Sequence, residues 1–383
     1  MDALRSPIRP ESRTQIGLPA PPLQTMRRLC FLMAAAALAA SGADKISAGN
    51  GLLYVGGRPN MIFIIDEATE KVVGQIECKT GTPAGLTLSH DRKRFYVSDI
   101  TFENIEIIDI ASRKSIDSFK LSEGNKKMRV FGFEPDPLDR FLVLAVKPAT
   151  KLADRFEIGS QVLYQYDLKE HKVARTIPWP NGEEREFGVG LRFSPDGKLL
   201  YFLGEDIVAY DTTDFKQVDK WEISRPIEDG FGRIRFGLGS DVNEDPGFYT
   251  GIFNVQDAVQ HRAIMGIARV NLAKKDVDFY PLGPASGVGG FALAPGRKMA
   301  YGLHSEIGKY EFWSFDLEKR RLGPHMEFRG RPRMGLKVSS NGKVLYIHVA
   351  GNTIDLYDAT TFQYLRTISL DADMTTGLYV MPR

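Results

Sequence analysis

This sequence predicts an all-β chain folded as a seven-bladed β-propeller. Three observations carry the prediction. A strand ending in an acidic residue or its amide returns seven times, each copy is built on the same hairpin, and the two ends of the chain hold complementary parts of one copy. The acidic-ended strands are "FIIDEATEKVVGQI" with Asp66, "EIIDIASRKSIDSF" with Asp109, "YQYDLKEHKVARTI" with Asp167, "VAYDTTDFKQVDKW" with Asp211, "ARVNLAKKDVDFYP" with Asn271, "WSFDLEKRRLGPHM" with Asp316 and "DLYDATTFQYLRTI" with Asp358. Their spacings are 43, 58, 44, 60, 45 and 42 residues. A period of roughly 40 to 50 residues made of several short strands is that of a propeller blade.

Residues 1–25 hold five prolines and no apolar periodicity, and read as a disordered leader or as sequence upstream of a start at Met26. Residues 26–43, "MRRLCFLMAAAALAASGA", have a signal peptide's charged head, short apolar run and small-residue cleavage site. The apolar run is short for a bilayer core of about 30 Å, so no membrane span is expected. Export to the periplasm or beyond follows.

Residues 45–383 form the propeller, and each copy divides in the same way. An apolar inner strand starts near a glycine: "GLTLS" from Gly85, "VGLRFS" from Val189, "GFALA" from Gly290, "GLKVS" from Gly335. A turn follows ("SHDRK", "SPDGK", "APGRK", "SSNGK"), whose Pro sets φ and whose Asp, Asn and Gly tolerate the left-handed region. A second strand comes next, and a third ends at the acidic residue. That side chain can accept from backbone N–H groups two residues on and fix the next turn. The outer strand is more polar. The first copy, "GLLYVGGRPNMIFIID", lacks an inner strand, while "TTGLYVMP" at residues 375–382 is an inner strand with no copy of its own. Pairing the two closes the ring and hides two sheet edges.

Two spacings are long. "KPATKLADRFEIGSQ" (147–161) falls between second and third strands of the third copy, and "SDVNEDPGFYTGIFNVQDAVQHRA" (240–263) lies in the fifth. The latter is read as that copy's second strand near Phe248–Phe253 with a short helical turn. Both are placed at the mouth where the inner strands begin.

Composition is ordinary for a globular protein, with 43% hydrophobic and 26% charged residues. Residues 1–43 carry five Arg and two acids, leaving 45 basic and 46 acidic residues and a formal charge of −1. That balance gives no general attraction to nucleic acid. Outside the signal segment Cys78 stands alone, so no internal disulfide is available and stability rests on packing.

No nucleophile elbow, phosphate loop or haem-attachment CxxCH occurs, and no catalytic, metal or cofactor-binding residue is assigned. His304 and His348 end comparable strands and are expected to face the mouth, too few for a metal site on their own. Segments entering the inner strands carry Arg129, Arg185, Glu186, Arg233, Arg331 and Arg333, with Arg58 near the same mouth. These are the channel-mouth candidates, a funnel for a carboxylate or for acidic groups on a partner. The competing reading pairs them with each other across neighbouring loops. Phe156, Phe248, Tyr249 and Phe253 are the candidate docking anchors.

The stretch "LYVGGRPNMIFIIDEATEKVVGQI" resembles the opening repeat of secreted YVTN-type propellers. Blade order is similar to that of the β chain of quinohaemoprotein amine dehydrogenases, through "GRPN", the insert after "FLVLAVKPA", "PGFYTGIFN", "FWSFDLEK" and "IDLYDATTFQYL". The resemblance covers nearly all of residues 50–383. It implies a periplasmic oxidoreductase assembly in which haem c lies on a dihaem chain and a tryptophan-derived quinone on a small chain, the propeller being a docking platform without a cofactor. The alternatives are a stand-alone enzyme of lactonase or lyase type, with Arg185, Glu186, His304 and Glu306 to be inspected, and a small-ligand-binding propeller.

Overall fold

The computed structural model describes residues 45–180, 190–203, 206–223, 235–236, 241–257, 259, 261–330, 334–348 and 351–383. The regular elements named among them are strands, paired antiparallel within each sheet, in a propeller arrangement. β1 (Leu52–Gly57), β2 (Met61–Asp66) and β3 (Lys71–Glu77) come first. Five separate sheets follow. They are β4 (Pro83–Leu88), β5 (Arg94–Asp99), β6 (Asn104–Asp109) and β7 (Lys114–Lys120); then β8 (Lys126–Pro135), β9 (Phe141–Lys151), β10 (Phe156–Ile158), β11 (Val162–Asp167) and β12 (Lys172–Ile177). The third is β13 (Gly190–Phe193), β14 (Leu199–Leu203), β15 (Ile207–Asp211) and β16 (Gln217–Trp221). The fourth is β17 (Arg235–Phe236), β18 (Phe248–Asp257), β19 (Arg262–Asn271) and β20 (Asp276–Pro284). The fifth is β21 (Gly290–Leu293), β22 (Met299–Glu306), β23 (Lys309–Asp316) and β24 (Arg321–Glu327). β25 (Gly335–Val338), β26 (Val344–His348), β27 (Gly351–Asp358) and β28 (Tyr364–Met381) end the chain.

The hydrogen-bonding pattern departs from seven separate four-stranded sheets. Five sheets stand alone, and the strands from the two ends of the chain form one seven-stranded sheet in the order β25-β26-β27-β28-β1-β2-β3. The cause is β28, 18 residues without a break. Its first half pairs with β27, from Tyr357↔Tyr364 to Gly351↔Met374. Its second half pairs with β1, through Val55↔Leu378, Leu53↔Val380 and Leu52↔Met381. The C-terminal segment therefore supplies the inner strand that the first repeat lacks.

Packing follows the chain from sheet to sheet. Leu86, Phe95 and Val97 lie against Tyr54, Ile62 and Ile64, and Tyr96 and Ile105 lie against Val130 and Leu142. Similar clusters join Val143 to Phe202, Tyr201 to Tyr249, Ile252 to Leu293 and Leu303 to Leu336. The last joins Tyr346 and Leu356 back to Leu53 and Phe63 at the start. Both faces of each central strand are thus covered, so most β1, β2, β5 and β26 residues are buried rather than alternately exposed. Cys78 lies in one of these clusters, and burial, reinforced by the charges of Glu106 and Glu77, pushes its thiol up to about 12.

The seven acidic or amide side chains serve the turns between third and outer strands. Asp66 accepts from Thr69 N at 2.8 Å, Asp109 from Ser112 N at 2.7 Å, Asp167 from Glu170 N at 2.8 Å and Asp211 from Thr213 N at 2.7 Å. Asn271 accepts from Lys274 N at 3.1 Å, Asp316 from Lys319 N at 3.0 Å and Asp358 from Thr361 N at 2.6 Å. The reach is more often three residues than the expected two. Four residues after each acid, Glu70, Arg113, His171, Phe215, Lys275, Arg320 and Phe362 all have φ between 50° and 58°. A left-handed residue is required to close this loop, and the acid's hydrogen bonds hold it although none of the seven is glycine.

Candidate functional site

Antiparallel order fixes two ends of the propeller. Turns from inner to second strand and from third to outer strand fall at one end, called lower here. Loops from second to third strand and from outer to next inner strand fall at the upper end.

At the lower end five inner strands converge on a cavity of about 210 Å³. The lining comes from one repeated place in the sequence, the second residue after the inner-strand glycine. Gly85, Gly132, Gly190, Gly335 and Gly377 are followed there by Thr87, Glu134, Arg192, Lys337 and Tyr379, all of which face the cavity. Their neighbours Leu86, Leu191, Phe193, Leu336, Val338, Leu378 and Val380 are buried, so the alternation of the strand sends every second side chain to the axis. Arg192 Nη1 lies 3.4 Å from Glu134 Oε2 and donates to Leu191 O, and His90 Nε2 is 3.7 Å from Glu134 Oε1. The Tyr379 hydroxyl donates to Leu86 O at 2.9 Å, and burial pushes it up to about 12, with Glu134 adding to the shift.

The segment 241–247 lies across this end, held from three sides. Asp241 accepts from Leu293 N at 2.9 Å, and Asn243 donates to Leu293 O at 2.8 Å. Arg269 grips Glu244 at 3.1 Å and Asp245 at 2.9 Å, and Arg297 reaches Asp245 at 3.0 Å. From the sheet of β4–β7, Arg92 donates to Val242 O at 2.8 Å. Residues 241–247 of the insert expected at the mouth thus serve the opposite end. The described residues contain no helical turn there, and β18 supplies the second strand as expected.

At the upper end Arg58 is exposed between β1 and β2, and Arg129 is exposed with its guanidinium 5.0 Å from the centre of the Phe102 ring. Arg185, Glu186, Arg233, Arg331 and Arg333 lie outside the described residues, so only Arg58 and Arg129 of the predicted arginine funnel can be placed. His304 is only 4% exposed, with Nε2 3.4 Å from Glu306 and Nδ1 3.5 Å from Glu311. It is buried instead of opening onto the mouth. His348 does not join it, because its Nε2 accepts from Leu378 N at 3.1 Å inside the sheet. Burial, together with the charge of Lys337, holds His348 down at about 3, hence neutral. Among the described residues no group of three or more His, Cys, Asp or Glu could hold a metal ion.

Two docking candidates need correction. Tyr249 is 7% exposed and Phe253 1%, because β18 is a central strand that packs on the preceding sheet through Tyr249 and on the following sheet through Ile252. Phe248 is half-buried at the lower cavity, with the Arg269 guanidinium 4.1 Å from its ring centre. Phe156 is 62% exposed. It stands on an arm in which β9 runs past β11, pairing with β8 through Lys126↔Thr150 and with β10 through Phe156↔Lys151.

Besides Phe156, the upper loops expose apolar tips that the residue patterns left unnoticed. Ile100, Phe156, Ile158, Val259 and Ile307 are exposed on connections from second to third strand in four different sheets, whereas Leu138 is the large exposed hydrophobic of the lower turns among the described residues. Ile307 is 90% exposed. No described helix is long and apolar enough to cross a membrane.

No protein-family model matches the sequence, and no curated protein matches it. Solved structures do. Dihydro-heme d1 dehydrogenase NirN in complex with DHE aligns with a TM-score of 0.53 and 10% identity, covering 88% of this chain and 76% of that one. A functionally unknown protein from Desulfotomaculum acetoxidans aligns with a TM-score of 0.53 and 14% identity, covering 87% and 99%. Kuenenia stuttgartiensis hydrazine synthase aligns at 0.46 with 13% identity, covering 82% and 90%. The two alignments with a TM-score of 0.53, at such low identity, speak to the fold alone.

Proposed function

We propose that the chain is an exported, seven-bladed propeller of the YVTN kind, closed by β28, that works as a non-catalytic docking platform. In this reading the seven-stranded sheet is two blades sharing β28: β25–β27 with residues 364–374, and residues 374–381 with β1–β3. The cluster that packs Tyr346 and Leu356 on Leu53 and Phe63 supports a closed ring. The partners are a haem c-bearing chain and a small chain with a tryptophan-derived quinone, as in the amine dehydrogenases whose β chain this sequence resembles.

The observation that carries the platform reading is the concentration of exposed apolar tips on the upper loops. Aliphatic and aromatic side chains held in water by a rigid scaffold are what protein interfaces bury at their centres. Phe156 on its three-stranded arm and Ile307 on a tight hairpin are preordered, so little entropy is lost when they dock.

The test uses the chain purified gently from its native source through a tag linked after Arg383. A haem-staining chain is expected to co-purify. Phe156→Asp combined with Ile307→Asp is expected to leave unfolding within about 0.5 kcal/mol, since both sites are solvent-facing. Partner affinity should weaken roughly thirty-fold, the equivalent of about 2 kcal/mol for central anchors. Purification without a haem-bearing partner, or equal retention by the double variant, contradicts the proposal.

A further inference from the structure

We propose that the lower axial cavity is a binding site for a small organic carboxylate, anchored by Lys337. The site is independent of the upper face and of any partner there.

The cationic groups described around the cavity are matched with one exception, and one carboxylate oxygen, Glu244 Oε2, is buried without a hydrogen-bond partner. Glu134 is engaged by Arg192 and His90, Glu244 and Asp245 by Arg269 and Arg297, and Asp241 accepts from the backbone of Leu293 and Asn243. Arg92 is spent on Val242 O. Lys337 lines the same cavity, is half-buried, and forms no ion pair or hydrogen bond among the described residues. An ammonium drawn from water without a partner is unfavourable, and a bound anion removes that penalty. Arg192 contacts Leu191 O and Glu134 through Nη1 alone, so its Nε and Nη2 add donors on the same wall.

The rest of the lining decides what kind of anion fits. Leu88, Phe193, Phe248 and Leu272 give the cavity an apolar side. Inorganic phosphate would leave that side unused and would need more donors than one ammonium and half a guanidinium supply. A carboxylate with a hydrocarbon or aromatic body satisfies both halves, because a carboxylate takes two donors in a plane. The volume, about 210 Å³, is below the roughly 300–1,000 Å³ of drug-sized sites and restricts the body to a few carbons or one ring.

The experiment is calorimetric titration and thermal unfolding of the full chain with benzoate, with benzamide of nearly the same shape but no charge, and with inorganic phosphate. Benzoate should bind saturably with a Kd below about 1 mM and raise the Tm. Benzamide should bind at least tenfold more weakly, and phosphate should not raise the Tm. In Lys337→Met, which keeps the stem's bulk, the preference for benzoate over benzamide should fall to about unity. Ligand-free Lys337→Met should unfold at the same temperature as wild type or higher, since an unpaired charge is gone. Absence of saturable benzoate binding, equal affinity for benzamide, unchanged benzoate affinity in Lys337→Met, or a lower ligand-free Tm for that variant each overturn the proposal. None of these outcomes depends on whether a partner docks on the upper face.

Discussion

A chain that stops at Thr375 is expected to lose its cooperative fold and to aggregate. The deleted segment contains Leu378 and Val380, which are 0% and 4% exposed and belong to the cluster joining the ends of the chain. Burial of such side chains contributes about 1.5–3 kcal/mol each. Tyr379, stacked edge-on against Phe95 with centroids 5.4 Å apart, goes with them, as does the Thr376 hydroxyl that accepts from Gly56 N at 2.8 Å. Leu52–Val55 of β1 then become an unpaired edge. Losses of this sum approach the roughly 5–15 kcal/mol by which a native protein is stable, and a bare edge strand invites intermolecular pairing. Soluble yield, size-exclusion chromatography and far-ultraviolet circular dichroism would measure the effect. A soluble monomer of the truncated chain with an undiminished unfolding transition is incompatible with the closure proposed above.

The second large effect is expected at Glu67. Its side chain is buried where the ends of the chain meet, accepting from Gly51 N at 2.7 Å, Ser340 N at 3.0 Å and the Tyr346 hydroxyl at 2.9 Å. Two of these donors belong to the last repeat and one to the first. Burial and the Glu67 charge raise the Tyr346 hydroxyl well above the ordinary tyrosine range, which keeps it the donor of this bond. Next to it, Arg366 of β28 forks onto Glu70 and donates to Ile46 O at 2.8 Å. Glu67→Ala strands three buried donors, and charged-group hydrogen bonds contribute roughly 1.5–3 kcal/mol apiece. A loss of about 4 kcal/mol is expected, lowering the Tm by roughly 6 °C for a domain of this size. Glu67→Gln retains two acceptor bonds at most and should fall between. A loss under about 1 kcal/mol for Glu67→Ala would show that this latch is not part of the fold's stability.

Much of the architecture was legible because each repeat carries its own local chemistry. Asp66, Asp109, Asp167, Asp211, Asn271, Asp316 and Asp358 announce the same turn, and the structure adds the left-handed residue four places on. The missing inner strand at Gly51 and the surplus one at Gly377 pointed to the pairing that β28 makes with β1. Separate sheets were not legible, since nothing in "TISLDADMTTGLYV" signals that one continuous strand serves two neighbours. Tyr249 and Phe253 misled because they lie in an insert placed at the mouth, whereas they belong to β18, a strand whose residues at those positions are buried.

The cavity was written in the sequence and passed over. Aligning the repeats on their inner-strand glycines puts Thr87, Glu134, Arg192, Ala292, Lys337 and Tyr379 in one column. Arg58 and Arg129, the described members of the predicted arginine set, lie at the other end. Which side chain of an inner strand faces the axis depends on twist and on the neighbouring sheet. A single period-two pattern cannot assign that.

Closure can be read directly from amide hydrogen exchange along β28 and β1. A sealed ring requires Tyr379 and Met381, with Tyr54 and Leu52 opposite them, to exchange as slowly as Phe95 and Tyr96 in the middle of β5. If residues 376–381 exchange within seconds while 364–370 of the same strand stay protected, the two ends of the chain are not joined and the propeller is open.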